Sequence, residues 1–317
     1  MEIGLDIQGQ NGLNWVTWRR ILARADHLGF SSLFRSDHYF IGPQQDSLEL
    51  FLSLVLAATE TTTLRFGSLV TPVTFRRPVD VARMAAQLDN LSGGRFVLGL
   101  GIGWYKPEHK AYGIPFPSIR ERFERLEEAV ALCRLVWGEL PATFDGGYYS
   151  LHDVDCRPKP ISGRVPIIIG GTGEKRALKI VAQYADEWCS ECVPLEDYAR
   201  KVAVLEEHCE SVSRDPASIR RSMVVTGDFV PRTRKFVRGS VRQVLHASKV
   251  RPIASTTFSV QPRMGGFVLG GRQQVVDELA KYARFGLQEA VFRCNDIASD
   301  AEPDYLAAEI MPAVRNI

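Results

Sequence analysis

Short apolar runs alternate with segments of helical periodicity along the whole chain. The runs have the length and apolar content of buried strands, and the eight that we predict span residues 2–7, 32–37, 64–70, 95–101, 165–171, 187–193, 220–229 and 289–295. The segments between them favour amphipathic helices, which we predict over residues 14–29, 47–60, 78–91, 118–138, 173–186, 194–212, 271–285 and 303–315. Eight strands that are each followed by a helix are typical of a (β/α)8 TIM barrel.

The length of the chain fits one such barrel with two insertions. It has 317 residues, whereas a barrel typically takes about 250, and no low-complexity linker interrupts it, so we predict a single domain over residues 1–317. Residues 139–164 contain Gly146-Gly147 between Thr-Phe-Asp and Tyr-Tyr, which predicts a hairpin. Residues 230–270 follow the seventh strand on the catalytic face of a barrel, and we expect them to form a lid.

Composition excludes several functional classes. A net charge of +2 with 24% charged residues gives no nucleic-acid or membrane signature, and no apolar run reaches the roughly 18 residues needed to cross a bilayer. The start, MEIGLDIQGQ, lacks the basic and apolar regions of a signal peptide. We therefore expect a cytoplasmic protein with free thiols. Cys189 and Cys192 have the spacing of a redox or zinc pair, but residues three apart on a strand point to opposite faces.

A glycine-rich segment, RFVLGLGIGWYKPEH at residues 95–109, places Gly99, Gly101 and Gly103 at alternate positions. A dinucleotide-binding fingerprint needs Gly-x-Gly-x-x-Gly at the start of a helix. Here the third glycine comes one residue early, and we expect Pro107 and the Gly and Pro residues up to position 117 to prevent any helix before about residue 118. The pattern indicates a strand end that a flat ligand approaches closely, or a tightly packed barrel corner.

The loops after the strands of a barrel meet at one mouth. Asp37 and His38 lie at the end of the second strand, in FRSDHYF. A histidine there can exchange a proton near neutral pH, and a neighbouring carboxylate can fix its tautomer. A purely structural histidine is the alternative.

A second loop at the predicted mouth has the features of a phosphate site. A strand ends in Gly170, Gly171, Thr172 and Gly173, directly before a predicted helix with Lys175, Arg176 and Lys179. Backbone N–H groups at a helix N-terminus, the Thr172 hydroxyl and nearby cations bind phosphate, and barrels commonly carry such a site in a late loop. An ordinary helix cap is the alternative.

The predicted lid region is strongly basic. No acidic residue occurs between Asp228 and Asp277. The basic residues there are Arg232, Arg234, Lys235, Arg238, Arg242, Lys249, Arg251, Arg263 and Arg272. Cations without counter-charges beside an active site would attract a polyanionic cofactor or substrate, although a solvated surface is the alternative.

Taken together, these residues resemble the bacterial luciferase-like family of flavin- and deazaflavin-dependent oxidoreductases. The likeness covers nearly the whole chain, because four segments occur in the family's order: GFSSLFRSDHYF, LRFGSLVTPVTFRRPVDVARMAAQLDNLSGGRFVLGLGIGWYKPEHKAYGIPFP, RFERLEEAV and PIIIGGTGEKRALKIVAQYADEW. The chain is most similar to the branch that uses coenzyme F420, an 8-hydroxy-5-deazaflavin with a lactyl-oligoglutamate tail. The resemblance implies hydride transfer between F420 and a small organic substrate, in a protein that we expect to be a homodimer.

The resemblance also implies roles for particular residues. His38 would be the active-site histidine beside the reactive ring carbon, and Ser68, Leu69 and Thr71 would form a bulge behind the ring, with a cis Ser68–Leu69 peptide. The expected cofactor contacts are Gly101, Gly103 and Trp104 at the ring edge and Gly170, Gly171, Thr172 and Gly173 at the phosphate. Sugar-phosphate dehydrogenases of the family carry a catalytic Glu where this chain has Trp104. Glu108 and His109 follow shortly and are the candidates to replace it.

Three other functions stay open at this stage. The first keeps the fold but uses FMN and molecular oxygen as a monooxygenase, supplied by a separate flavin reductase. The second is a metal-dependent barrel hydrolase that uses His38, Asp37, His109 and His152, although the histidines show no ligand spacing. The third is a flavin-binding protein without catalytic activity.

Overall fold

The structure is a computed structural model that describes residues 1–43, 46–227 and 271–317. Its strands are β1 (Glu2–Ile7), β2 (Ser32–Arg35), β3 (Arg65–Ser68), β4 (Thr71–Pro72), β5 (Phe96–Gly101), β6 (Ala142–Asp145), β7 (Ser150–Val154), β8 (Ile167–Gly170), β9 (Glu187–Glu191), β10 (Arg220–Val225) and β11 (Glu289–Cys294). All except β6 and β7 form one parallel sheet in the order β3-β2-β1-β11-β10-β9-β8-β5-β4, and pairing of β3 with β5 closes it. The predicted (β/α)8 TIM barrel is confirmed.

Helices surround the barrel. They are α1 (Trp15–Leu28), α2 (Leu50–Glu60), α3 (Pro78–Ser92), α4 (Lys106–Ala111), α5 (Ile119–Trp137), α6 (Ala177–Tyr184), α7 (Leu195–Ser211), α8 (Arg272–Ala283), α9 (Ala301–Tyr305) and α10 (Met311–Val314). A π-helical turn at Leu306–Ile310 joins the last two. The helix starts follow local chemistry, since the side chains of Asn14 and Ser118 accept hydrogen bonds from backbone N–H groups in the first turns of α1 and α5.

The core has an outer and an inner part. The larger cluster fills the space between the strands and the helices. A smaller cluster lies inside the barrel and consists of Phe34, Val97, Ile168, Cys189, Val224 and Val291. Leu69 packs onto this inner cluster. The barrel is therefore filled by side chains, and only its mouth is left for a ligand.

Several predictions about single segments can be compared with the structure. The hairpin in residues 139–164 is present as β6 and β7, which pair antiparallel. The expectation of no helix before residue 118 is wrong, because α4 begins at Lys106 and has Pro107 in its first turn, where a missing N–H costs no hydrogen bond. The predicted lid at 230–270 and all its cations except Arg272, which lies in α8, fall outside the described residues.

Two observations concern the chain as a whole. Among the helices in the described ranges, none is both long and apolar enough to cross a membrane. The thiols of Cys133, Cys156, Cys189, Cys209 and Cys294 are free and buried. Cys192 is buried as well, just after β9.

Candidate active site

A backbone bulge between β3 and β4 forms one side of the barrel mouth. The peptide between Leu69 and Val70 is cis, so the expectation for Ser68–Leu69 is wrong by one residue. The reason lies in the strand pairing: the Leu69 N–H still donates to the Arg35 carbonyl at 2.8 Å, and the irregular backbone begins only after it.

The alternate glycines make room for this bulge. A Cβ on Gly99 would lie 2.0 Å from the Ser68 carbonyl oxygen, and a Cβ on Gly101 would lie 2.6 Å from Val70 Cγ2. The Ser68 hydroxyl also bonds both the N–H and the carbonyl of Gly99. Gly99 and Gly101 are thus explained by packing of a barrel corner, which was one of the two interpretations of the sequence.

A cavity of about 190 Å³ opens at the mouth beside the bulge. Its walls include Leu69 and Val70, the segment from Gly101 to Trp104, and Gly170 with Gly171. The rest of the lining includes Ser190 and Glu191 at the end of β9 and Arg293 on β11. The structure therefore brings three of the predicted loops to one cavity.

His38 and Glu108 form a hydrogen-bonded pair at this mouth. His38 Nδ1 lies 2.8 Å from Glu108 Oε1, and Glu108 Oε2 accepts the Tyr39 N–H at 3.1 Å. The Glu108 side chain is 1% exposed and that of His38 is 13% exposed. A buried carboxylate in this position fixes the tautomer of the imidazole and balances its charge when it is protonated.

Asp37 does not orient His38. Its carboxylate is buried and faces Arg76, whose Nη1 lies 2.5 Å from Asp37 Oδ2 and whose Nη2 lies 2.7 Å from Glu49 Oε1. Burial opposes ionisation of this guanidinium, but the two carboxylates outweigh it and raise the pKa of Arg76 above its ordinary value. The structure places Asp37 in an ion-pair network behind the site.

The predicted ring-edge segment lies at the rim of the cavity. Gly103 adopts a left-handed conformation with φ of 73°, which a side chain would strain. Arg122 donates to the carbonyl of Gly103 and holds this turn in place. The Trp104 side chain is exposed, and its ring meets the His38 ring edge-on with 5.5 Å between centroids.

The loop Gly170–Gly173 reaches the same cavity. It is followed by a turn, and α6 begins at Ala177 rather than at the predicted residue 173. The Gly171 carbonyl accepts the Trp188 indole N–H at 2.8 Å, and the Gly173 carbonyl accepts the Leu178 N–H at 3.1 Å. Lys175, Arg176 and Lys179 are exposed around the start of α6. Thr172 is partly exposed, so its hydroxyl is accessible to a ligand.

Sequence reasoning missed the wall opposite the bulge. Arg293 Nε donates to Asp6 Oδ2 at 2.7 Å. Burial raises the pKa of the Asp6 carboxyl, although the Arg293 charge opposes the shift. Burial also raises the pKa of Glu191. Charged residues inside apolar strand patterns, Asp6 in EIGLDI and Arg293 in EAVFRCN, are the signal that could have found this wall.

The histidines named for a metal site serve other purposes. His109 is buried between the Thr74 hydroxyl and the Tyr105 carbonyl, and His152 lies on β7. Within residues 1–43, 46–227 and 271–317, no group of three or more His, Cys, Asp or Glu side chains could hold a metal ion.

Comparison with known proteins gives two kinds of relative, F420-dependent dehydrogenases and a monooxygenase. The F420-dependent glucose-6-phosphate dehydrogenase of Intrasporangium calvum is 38% identical over 169 residues, which cover 51% of this chain and 48% of that protein. The chain thus spans about half the length of this relative. The pyrimidine monooxygenase RutA of Escherichia coli O44:H18 is 31% identical over 284 residues, which cover 81% of this chain and 76% of that protein.

A solved structure shares the whole fold. It is an F420-dependent secondary alcohol dehydrogenase in complex with an F420–acetone adduct, with a TM-score of 0.81, 20% sequence identity and coverage of 100% of both chains. The model of the luciferase-like monooxygenase family matches residues 3–230. Because that match accounts for more than half of the sequence, this chain belongs to the luciferase-like monooxygenase family.

Proposed function

We propose that the chain is an F420-dependent oxidoreductase that transfers a hydride between the deazaflavin and a small organic substrate. The observation that carries the proposal is the His38–Glu108 pair beside a cavity backed by the bulge. One relative and one solved structure, both F420-dependent dehydrogenases, support the choice of cofactor.

The residues at the mouth fit a flat cofactor. Leu69 and Val70 offer an apolar wall, and the Oγ atoms of Thr71 and Ser190 are buried without a hydrogen-bond partner among the described residues. The cavity of about 190 Å³ is smaller than a typical ligand pocket of about 300–1,000 Å³, so it suits the reacting ring rather than a whole nucleotide. When bound, a deazaflavin supplies a ring carbon that accepts or gives a hydride.

Separate residues would hold the two ends of the cofactor. Gly101, Gly103 and Trp104 would border the ring. The loop Gly170, Gly171, Thr172 and Gly173 would bind the phosphate through the Thr172 hydroxyl and backbone N–H groups other than that of Gly171, which donates to the Cys189 carbonyl at 3.2 Å.

His38 would move the proton that accompanies the hydride. Its Nδ1 is held by Glu108, whereas its Nε2 has no hydrogen-bond partner within the described part of the chain. In alcohol oxidation Nε2 takes the proton of the substrate hydroxyl, and in carbonyl reduction it returns a proton to the oxygen. Glu108 contributes by orienting the imidazole and stabilising its protonated form.

An FMN-dependent monooxygenase is the second candidate. The specific observation in its favour is the match to RutA, which covers 81% of this chain, against 51% for the F420-dependent relative. A flavin reductase would then be the partner protein. The bulge and His38 suit both cofactors and do not separate them.

Calorimetric titration of the purified protein with F420 and with FMN tests the choice. We expect F420 to bind more tightly, with an affinity that falls as salt rises, because salt screens the attraction between its tail carboxylates and basic side chains beyond about 8 Å at physiological ionic strength. Joint neutralisation of Arg232, Arg234, Lys235 and Arg238 should weaken F420 and leave FMN nearly unchanged. Tighter FMN binding would favour the monooxygenase, and binding of neither would overturn both candidates.

We also propose that the chain forms a homodimer in the cytoplasm. The helices α1, α2 and α3 expose an apolar face that includes Trp15, Val16, Leu52, Val55 and Leu91. Contiguous exposed apolar surface is typical of interaction sites, and we assign this face to a second copy of the chain. The buried free thiols are typical of a reducing compartment.

A further inference from the structure

The cavity has two chemically different sides. The bulge side, with Leu69 and Val70, is apolar, whereas the other side carries Ser190, Glu191 and Arg293, which we call the polar wall. In the closed order of strands, β11 with Arg293 stands opposite β5, and β9 with Ser190 and Glu191 lies two strands from β11. A flat ring placed on the bulge therefore turns its free face toward the polar wall, where a substrate would lie.

Two groups of the polar wall lack hydrogen-bond partners within the described residues. The Ser190 side chain is buried, and its Oγ has none. The Arg293 side chain is 28% exposed; it uses Nε for Asp6, and its two terminal nitrogens, which make no hydrogen bond within the described residues, face the cavity or solvent. Buried polar groups are normally satisfied. Unsatisfied donors that line a cavity indicate that a ligand supplies the acceptors.

Arg293 is held rigidly from behind. Asp6 is fully buried, and its Oδ2 accepts N–H groups from both Arg293 and Gln8. Gln8 in turn accepts from Gln10, which accepts from the Ser36 hydroxyl at 2.6 Å. This chain of hydrogen bonds fixes the guanidinium before a ligand arrives, which is how specific sites are preorganised. Asp6 is thus a positioning residue.

The charges of the wall oppose each other. Asp6 neutralises Arg293, and Glu191 adds a carboxyl group that points into the same cavity. A carboxylate or phosphate ligand would be attracted by Arg293 but repelled by Glu191. A cationic ligand would be attracted by Glu191 but repelled by Arg293. An uncharged group with an acceptor next to a donor satisfies both residues, because the acceptor pairs with Arg293 and the donor with Glu191.

We propose that the polar wall is the substrate-recognition surface and that it selects an uncharged polar group of the amide or lactam type over carboxylates and sugar phosphates. This inference rests on the proposed function, since it names the substrate class of that site. Arg293 and Glu191 would determine specificity, and Ser190 would supply a third hydrogen bond.

Three probes of one shape but different charge test the inference: benzamide, benzoate and benzamidine. Titrated calorimetrically into protein saturated with whichever of F420 or FMN it binds, benzamide should bind at least about 10-fold more tightly than the other two. Arg293→Met should weaken benzamide by about 10-fold or more and change cofactor affinity little. Arg157→Met is the matched control and should change neither, because Arg157 is exposed and pairs with Asp155 in the insertion that follows α5.

A second variant keeps the test decisive if Arg293→Met fails to fold. Glu191→Gln removes the opposing carboxylate, so benzoate should gain about 10-fold in affinity. Equal binding of the three probes to the wild type, or indifference of both benzoate and benzamide to Glu191→Gln, would overturn the assignment. If neither cofactor binds, the proposed function fails, and the same titrations on cofactor-free protein still decide the role of the wall.

Discussion

Replacing Glu108 by Gln tests the negative charge in the hydrogen bond between Glu108 and His38 at the centre of the site. The carboxylate lies 2.8 Å from His38 Nδ1 and is 1% exposed. Gln has nearly the same shape, but Glu108 uses Oε1 for His38 and Oε2 for the Tyr39 N–H, whereas Gln has a single acceptor oxygen. With that oxygen toward His38, the variant should keep the contact to the imidazole, lose the negative charge beside it and leave the Tyr39 N–H without its acceptor.

The expected loss follows from the strength of the hydrogen bond. A hydrogen bond to an ionised group is worth about 1.5–3 kcal/mol and a neutral one about 0.5–1.5 kcal/mol. The difference, about 1–2 kcal/mol, corresponds to about 5- to 30-fold in kcat if the charge acts only when His38 is protonated. Glu108→Ala also removes the group that orients the ring. Its loss in kcat should approach the roughly 10²- to 10⁴-fold that one positioned acid–base group contributes.

The assay follows steady-state turnover with F420, together with the F420 dissociation constant and the melting temperature of each variant. Glu128→Gln is the control, because Glu128 binds the backbone of the hairpin far from His38 and should leave kcat unchanged. Wild-type kcat in Glu108→Gln and Glu108→Ala, or a loss that lies entirely in cofactor affinity, would refute the proposed role of the pair.

Three further predictions test the fold, the buried thiols and the surface. Gly67→Ala should destabilise by about 3 kcal/mol or more, because its Cβ would lie 1.8 Å from the Val97 carbonyl oxygen. Gly271→Ala meets no atom of the described residues within 4 Å and should cost less than about 1 kcal/mol in chemical denaturation. Burial raises the pKa of the Cys133 thiol from 9.0 to about 12. Between these two pH values the thiol ionises in the unfolded chain but not in the folded protein, so the free energy of unfolding should fall by about 1.4 kcal/mol by pH 10. A Cys133→Ala variant should lack this part of the pH dependence. Leu52→Glu should convert a dimer into a monomer in light scattering without loss of F420 binding, and an unchanged mass would place the interface elsewhere.

The architecture could be predicted because its signals are local. Each barrel strand is buried on both faces and reads as an apolar run, and each helix shows its own periodicity. The strand ends were less certain: residues 64–70 were predicted as one strand, but β3 stops at Ser68 and the bulge follows. No periodicity marks that break, since Leu69 and Val70 are as apolar as the strand itself.

The site could be predicted only where a residue ends a strand. His38 and the segment Gly101–Trp104 follow strands directly, and barrel topology brings them to one mouth. Asp6 and Arg293 come from distant parts of the chain and are partners on the adjacent strands β1 and β11, and Glu191 lies two strands from β11, on β9. Their proximity depends on which strand neighbours which. That information lies in the closed sheet rather than in any one segment.

Glu108, which we predicted as a catalytic residue, and its neighbour His109 were both candidates to replace a family carboxylate, and the fold of α4 separates them. His109 is fully buried, with Nε2 at the Thr74 hydroxyl and Nδ1 at the Tyr105 carbonyl. Both ring nitrogens are thus occupied within the protein, and His109 anchors the helix to the loop after β4. Neighbouring helix positions point about 100° apart, so fixing His109 inward turns Glu108 toward His38. The histidine thus sets the position of the carboxylate next to His38.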